Sequence, residues 1–349
     1  MIKYFLPDLI RMKFKIYLIL FLIAVSACKK GNSLTPKPET NLADVYAAGN
    51  IVATNGKSVA AYWKNGVVTK LTDSSSHAFA KSILVNGSDV YVAGYEMVNN
   101  IQNATYWKNG VKNVLSSQPS EAYSIAMNSE GVYVAGYAID PDPYVYMVTT
   151  YWKNGIPMGL PGKTPNFTPR RVVAIGNDIY VSGAIADPKD GHFTATYWKN
   201  GSLIKPADTS STTFSTAIAV NGTDVHLSGF TMAQNGKDVA TYWKNGVSSM
   251  LADSSANSLA NEIALAGNDV YIVGTSVYNA LNVATYWKNG VQQQLTDVAS
   301  NSQGHAIAVN GSDIYIAGTN AFGAVYWKNA KAVQLAKSGN AYGMVVIPH

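Results

Sequence analysis

Lys81, Tyr123, Thr216, Asn261, His305 and Tyr342 stand two residues before the first aliphatic residue of a short, recurring segment of the Ile-Ala-Val type, and Arg171, counted back from Val173, takes the same place in the fourth copy. The segments repeat closely, yet this position changes residue type in every copy but two. Two cations, an imidazole, an amide and two phenols, gathered in one place, suit an anionic or polyhydroxyl ligand. Lys81, Tyr123, Arg171, Asn261, His305 and Tyr342 are therefore the candidate ligand-binding residues. His305 with Arg171 and Tyr123 or Tyr342 is also the set to suspect for acid–base chemistry in a lyase or hydrolase. The bland alternative is a hydrated pore mouth that holds nothing. Tyr95, Glu96, Tyr137 and Phe230 follow the next segment and widen the same surface. Lys163, Arg170 and Arg171 close a long connection that begins at Pro161.

Linear motifs for catalysis are missing. There is no Gly-x-Ser-x-Gly elbow, no His-Glu-x-x-His and no phosphate-binding glycine loop. His77, His192, His226, His305 and His349 share no metal-ligand spacing. Asp140-Pro141-Asp142-Pro143-Tyr144 and Asp187-Pro188-Lys189-Asp190-Gly191-His192 bring paired aspartates that could meet calcium. Asp-Pro and Asp-Gly are also common turn formers, and turns are the expectation here. No residue is assigned as catalytic, and neither a cofactor nor a metal is expected.

The elements that must position these residues repeat through the chain. Tyr-Trp-Lys-Asn occurs seven times and contains every tryptophan: Trp63, Trp107, Trp152, Trp198, Trp243, Trp287 and Trp327. Successive separations are 44, 45, 46, 45, 44 and 40 residues, the mark of an array of one supersecondary unit. The second unit runs Ser82-Ile83-Leu84-Val85, a turn at Asn86-Gly87, Asp89 to Gly94, a variable stretch, Ala104 to Lys108, the turn Asn109-Gly110, and Val111 to Leu115. These are four short runs rich in β-branched and aromatic residues, and Asn-Gly is a strong hairpin signal.

Seven such units predict an all-β fold, a seven-bladed β-propeller with four antiparallel strands per blade. A β-solenoid is the structural alternative. The first unit lacks its first strand, and Met344-Val345-Val346 supplies one at the other end. The C-terminal strand should therefore pair with the N-terminal blade and close the ring. The small aliphatic strand goes to the hub. The tight turns then define a bottom face, and the variable connections a top face, where binding groups usually sit. A tryptophan at one fixed place in all seven blades is expected to be packing. Lys64, Lys108, Lys153, Lys199, Lys244, Lys288 and Lys328 should ring the bottom, either keeping the blades soluble or meeting anionic headgroups. The last unit has Asn329-Ala330 in place of Asn-Gly, which puts its final turn in question.

Residues 1–27 read as a signal peptide. Lys13 and Lys15 precede an apolar run, Ile16 to Val25, that ends in Ser26-Ala27-Cys28. The run is too short for a comfortable membrane span. Small residues before the chain's single cysteine resemble a bacterial lipobox, which implies cleavage before Cys28 and lipidation of its thiol. An ordinary secretory signal is the alternative. Residues 28–43 read as a tether, reaching at most about 50 Å, and residues 44–349 as the propeller. Cleavage removes four of 26 basic and one of 21 acidic residues. The resulting 22 against 20 leaves no basic field for nucleic acid.

Together the lipobox and the Tyr-Trp-Lys-Asn-Gly units resemble bacterial surface or periplasmic lipoproteins with repeated propeller blades. The resemblance implies a cell-envelope protein on a bacterial membrane, the outer membrane preferred, and no established activity. The expected role is a non-catalytic binding module for a glycan, a peptide or an envelope protein. A propeller enzyme (a polysaccharide lyase or hydrolase) and a structural spacer are the alternatives. A cleft holding ionisable groups with perturbed pKa values would favour the enzyme.

Overall fold

The computed structural model describes residues 43–139, 148–160, 169–187, 190–205, 211–296 and 301–349. The signal segment, Cys28 and the tether lie outside the described residues, as do Lys163 and the Asp140–Tyr144 loop.

Seven antiparallel sheets of four strands each follow one another along residues 42–349. Within a sheet the strands lie in chain order, except in blade 1. There the C-terminal strand, Asn340–Pro348, pairs antiparallel with Ala43–Val52, next to Ser58–Lys64 and Val67–Lys70. The ring is closed by the C-terminal strand pairing with the first blade, as the sequence predicts. The innermost strands of blades 2 to 7 are Ala78–Asn86, Ser120–Asn128, Arg171–Ile175, Thr213–Asn221, Ser258–Ala266 and Gln303–Asn310. With Asn340–Pro348 each touches the corresponding strand of the neighbouring blades, around the full circle. The fourth strands, such as Val67–Lys70 and Val247–Met250, are exposed along their length.

The tryptophans fill the spaces between blades. None is more than 3% exposed. Trp107 packs with Ile83 and Val92 of its own blade and with Tyr46, Ala48 and Ala60 of blade 1. The adjacent tyrosine is half-buried on the other face of the sheet, because successive strand residues point to opposite sides.

Each Tyr-Trp-Lys-Asn turn ties the third strand to the second. Asn109 (φ 50°) and Gly110 (φ 80°) make the two left-handed residues of a primed hairpin turn. Asn109 accepts from the Val90 backbone N–H at 2.8 Å and donates to Asp89 at 2.7 Å. Lys108 reaches the same aspartate at 2.9 Å and lies over the Tyr91 ring. All seven lysines repeat the ion pair, onto Asp44, Asp89, Glu130, Asp178, Asp224, Asp269 and Asp313. The ring is therefore neutralised pair by pair rather than offered as free positive charge. Exposed pairs of this kind add little stability; their effect is on turn geometry. The last turn also forms, with Ala330 left-handed at φ 65°.

One irregularity recurs where the inner strand enters from the top. In blade 2 the register slips between Ala80 and Ser82, which pair with Gly94 and Ala93. Lys81 is the extra residue of a β-bulge, and a bulge re-aims a side chain. The same slip makes Tyr123, Thr216, Asn261, His305 and Tyr342 the extra residues of five more blades. The paired glycine permits it. A Cβ on Gly94 would lie 1.9 Å from the Phe79 carbonyl oxygen, and Gly49, Gly136, Gly229, Gly274 and Gly318 are confined at 1.8–2.0 Å in the same way.

Candidate functional site

The bulges bring the predicted residues together. Lys81, Tyr123, Arg171, Thr216, Asn261, His305 and Tyr342 all line one cavity of about 340 Å³ at the hub. Arg170, Glu262, Leu259 and Phe230 complete its wall.

Blade 4 corrects the sequence register by one residue. Arg171 pairs with Ser182, as Ser82 pairs with Ala93 in blade 2. The position equivalent to Lys81 is thus Arg170, whose backbone N–H bonds to the Ser182 carbonyl at 2.9 Å. Counting back from Val173 rather than Val172 misplaced it. Arg171 instead occupies the next position, where other blades carry Ser82, Ser124, Ala217, Ala306 and Gly343. The exception is Glu262 in blade 6. Arg171 and Glu262 meet at 2.7 Å, with the small Ala217 of blade 5 leaving room between them. Glu262 is buried, and burial pushes its carboxyl up against the opposing pull of Arg171. Sequence reading missed this pair. Its signal was present, as two blades replace a small residue with opposite charges at one position.

A second pair stands in blades 2 and 3. Lys81 lies 3.8 Å from Glu121, and Tyr123 donates to the other carboxylate oxygen at 3.1 Å. Burial pushes the Lys81 ammonium down and the Glu121 carboxyl up. Lys81 is also held over the Tyr342 ring at 4.3 Å and near Phe79 and Tyr95, a cation–π box. Phe79 and Tyr95 stack with centroids 5.1 Å apart. Burial raises the Tyr95 hydroxyl to about 12 and raises Tyr123 and Tyr342 as well, so these phenols stay protonated donors. His305 packs on Tyr342 at 5.0 Å. Its Nε2 is buried with no partner, and burial lowers the imidazole to about 4, which leaves it neutral at physiological pH.

Asn261 and Thr216 have structural bonds. Asn261 donates to the Gly304 carbonyl at 2.7 Å, and Thr216 to Ala260 and Ser228 at 2.5 and 3.0 Å. Of the four flanking residues, Phe230 lines the cavity. Glu96 turns away to Lys112 at 2.6 Å. Tyr137 donates to Gln102 at 3.3 Å and leans on Tyr123. Tyr95 and Glu96 lie within a strand, Asp89–Val98, that is longer than its sequence pattern. In the blade 4 loop, Asp190 accepts from the His192 backbone at 3.0 Å and Gly191 bonds back to Asp187 at 2.9 Å. That is turn geometry. Among the described residues no three His, Cys, Asp or Glu side chains converge as metal ligands would.

No family model and no curated protein matches the chain. Solved structures do resemble it. A puromycin-hydrolyzing peptidase of Mycobacterium tuberculosis superimposes with TM-score 0.56 at 9% identity, over 84% of this chain and 52% of that one. A structure from a study of two prolyl endopeptidases gives 0.49 at 10% identity, over 88% and 49%. The chain spans about half the length of either. At 9% identity the likeness to the first of them bears on the fold alone.

Proposed function

We propose that the protein is a binding module whose ligand seats at the hub cavity on the variable-connection face, and that Cys28 anchors it by lipid to a bacterial membrane. One observation carries the first part. A scaffold that repeats its packing residues seven times aims a chemically different side chain into one cavity from almost every blade. Packing alone gives no reason for that diversity. The site combines cations, phenols and aromatic faces, which suits anionic or hydroxylated glycans, peptides and envelope proteins.

An enzyme is the second reading, favoured by the perturbed groups Lys81, Glu121 and His305. Binding fits better, because Lys81 and Arg171 face carboxylates and the buried His305 Nε2 has no hydroxyl or thiol within hydrogen-bond reach among the described residues. Glycan and peptide arrays probed with the full chain should give ligands whose affinity drops roughly tenfold in Tyr342→Ala and which are recovered unaltered. Unchanged affinity in the variant removes the hub from the site, and recovery of a cleaved ligand makes the protein an enzyme. For the anchor, mass spectrometry of the membrane fraction should find a diacylated or triacylated Cys28 at the mature N-terminus. A soluble product with a free thiol would rule it out.

A further inference from the structure

The hub cavity does not end at its own wall. Arg170, Thr216 and Phe230 also line a second cavity of about 140 Å³, between blades 4 and 5. This one is aromatic. Phe193 and Phe214 lie with centroids 4.9 Å apart, and Phe214 stacks on Phe230 at 5.0 Å. Its remaining wall includes Ala184 and Ser215. Ser215 is 2% exposed, and its hydroxyl has no hydrogen-bond partner. Every other blade described there carries Ala or Gly at that position: Ala80, Ala122, Ala260, Gly304 and Ala341, or Pro169 in blade 4.

Charge is distributed unevenly around the junction. Lys81 has Glu121 and Arg171 has Glu262. Arg170 is exposed, lies over the Tyr123 ring at 5.0 Å, and makes no ion pair with any described carboxylate. Among the described residues it is the hub guanidinium without an ion pair of its own, sharing only the longer-range field of Glu121 that Lys81 already engages, and it stands where the two cavities join. A planar guanidinium in that position suits a carboxylate. A wholly apolar cavity of about 150 Å³ accommodates benzene; this one matches it in size, with Phe193, Phe214, Phe230 and Ala184 as its apolar wall and Arg170, Ser215 and Thr216 as its polar one.

We infer that the two cavities form a bipartite site for a carboxylate carrying an aromatic ring, with the carboxylate on Arg170 and the ring among Phe193, Phe214 and Phe230. The inference rests on the hub-binding reading and narrows it. The same chemistry occurs in a free aryl carboxylate and in a polypeptide that ends in an aromatic residue. The unpartnered Ser215 hydroxyl adds a polar point beside the ring.

N-acetyl-phenylalanine, N-acetyl-phenylalanine amide and N-acetyl-alanine, titrated into the full chain by calorimetry, test it. The acid should bind roughly tenfold or more tightly than either comparison compound, the loss expected on removing one charge-assisted contact or one buried ring. Arg170→Ala should make acid and amide equal while keeping any preference for the ring. Phe230→Leu should reduce the preference for the ring and leave the acid favoured. A pentapeptide ending in phenylalanine that binds more tightly than N-acetyl-phenylalanine assigns the ligand to a chain terminus, and equal affinity assigns it to a small free acid. Equal binding of all three compounds, or an acid preference that survives Arg170→Ala, overturns the bipartite site. An array ligand that depends on Tyr342 but on neither Arg170 nor Phe230 also overturns it, and leaves the hub reading standing.

Discussion

Glu262→Ala is expected to destabilise the propeller by about 3 kcal/mol, the lower end of the cost of stripping one partner from a buried ion pair. The carboxylate is buried and meets Arg171 at 2.7 Å. Removing it leaves a guanidinium at the hub without its counter-charge. Arg171 keeps 30% of its side-chain surface, so water from the cavity can solvate it in part, which holds the loss to the lower figure. The contrast with a double substitution is sharper than the single value. Arg171→Met with Glu262→Met removes both desolvation costs and should recover most of the loss. Urea denaturation checks this: a lower midpoint at constant m for the single variant, and a midpoint near the parent for the double. A double variant as unstable as the single would mean that the pair does not act as a pair.

Gly94→Ala should cost at least about 3 kcal/mol, at or beyond the upper end of ordinary overpacking. Its new Cβ would stand 1.9 Å from the Phe79 carbonyl oxygen and 3.0 Å from the Ala80 Cα. Both obstacles are backbone, so no side-chain rotation relieves them. The bulge that turns Lys81 into the hub must open or shift. Gly110→Ala is the matched control. It has φ +80° and nothing within 4 Å of a Cβ, so it bears only the left-handed backbone penalty of about 1 kcal/mol. Thermal unfolding of the two variants should therefore separate clearly, with Gly94→Ala much the worse. Equal losses would refute the steric account of the bulge.

These two positions mark how far local pattern carries. The glycine of the second strand, as in Val92-Ala93-Gly94, is visible in all seven units, but its reason is not. The glycine is needed because the neighbouring strand carries one residue too many, and that is a property of the pairing. Glu121 and Glu262 escaped notice for a similar cause. Each is unremarkable beside its sequence neighbours, and each becomes a partner only when strands of different blades converge on one axis, Glu121 with Lys81 of the adjacent blade and Glu262 with Arg171 two blades away. The lysines after each tryptophan were visible as a row, yet their acids stand some 20 residues earlier and meet them only across a hairpin.

The sequence by itself determined the number of blades, the four strands in each, the closing strand and the placement of the seven tryptophans. Those follow from alternation, turn chemistry and period, which act over a few residues and repeat. It also located the variable hub position in six blades, because a bulge residue keeps its offset from the strand that follows. The same offset counted from Val172 gives Arg170 in blade 4, and only the tertiary structure decided which cations the fold had already neutralised. Charge pairing across the hub depends on distances between inner strands about 40 to 90 residues apart, and no local rule carries that information.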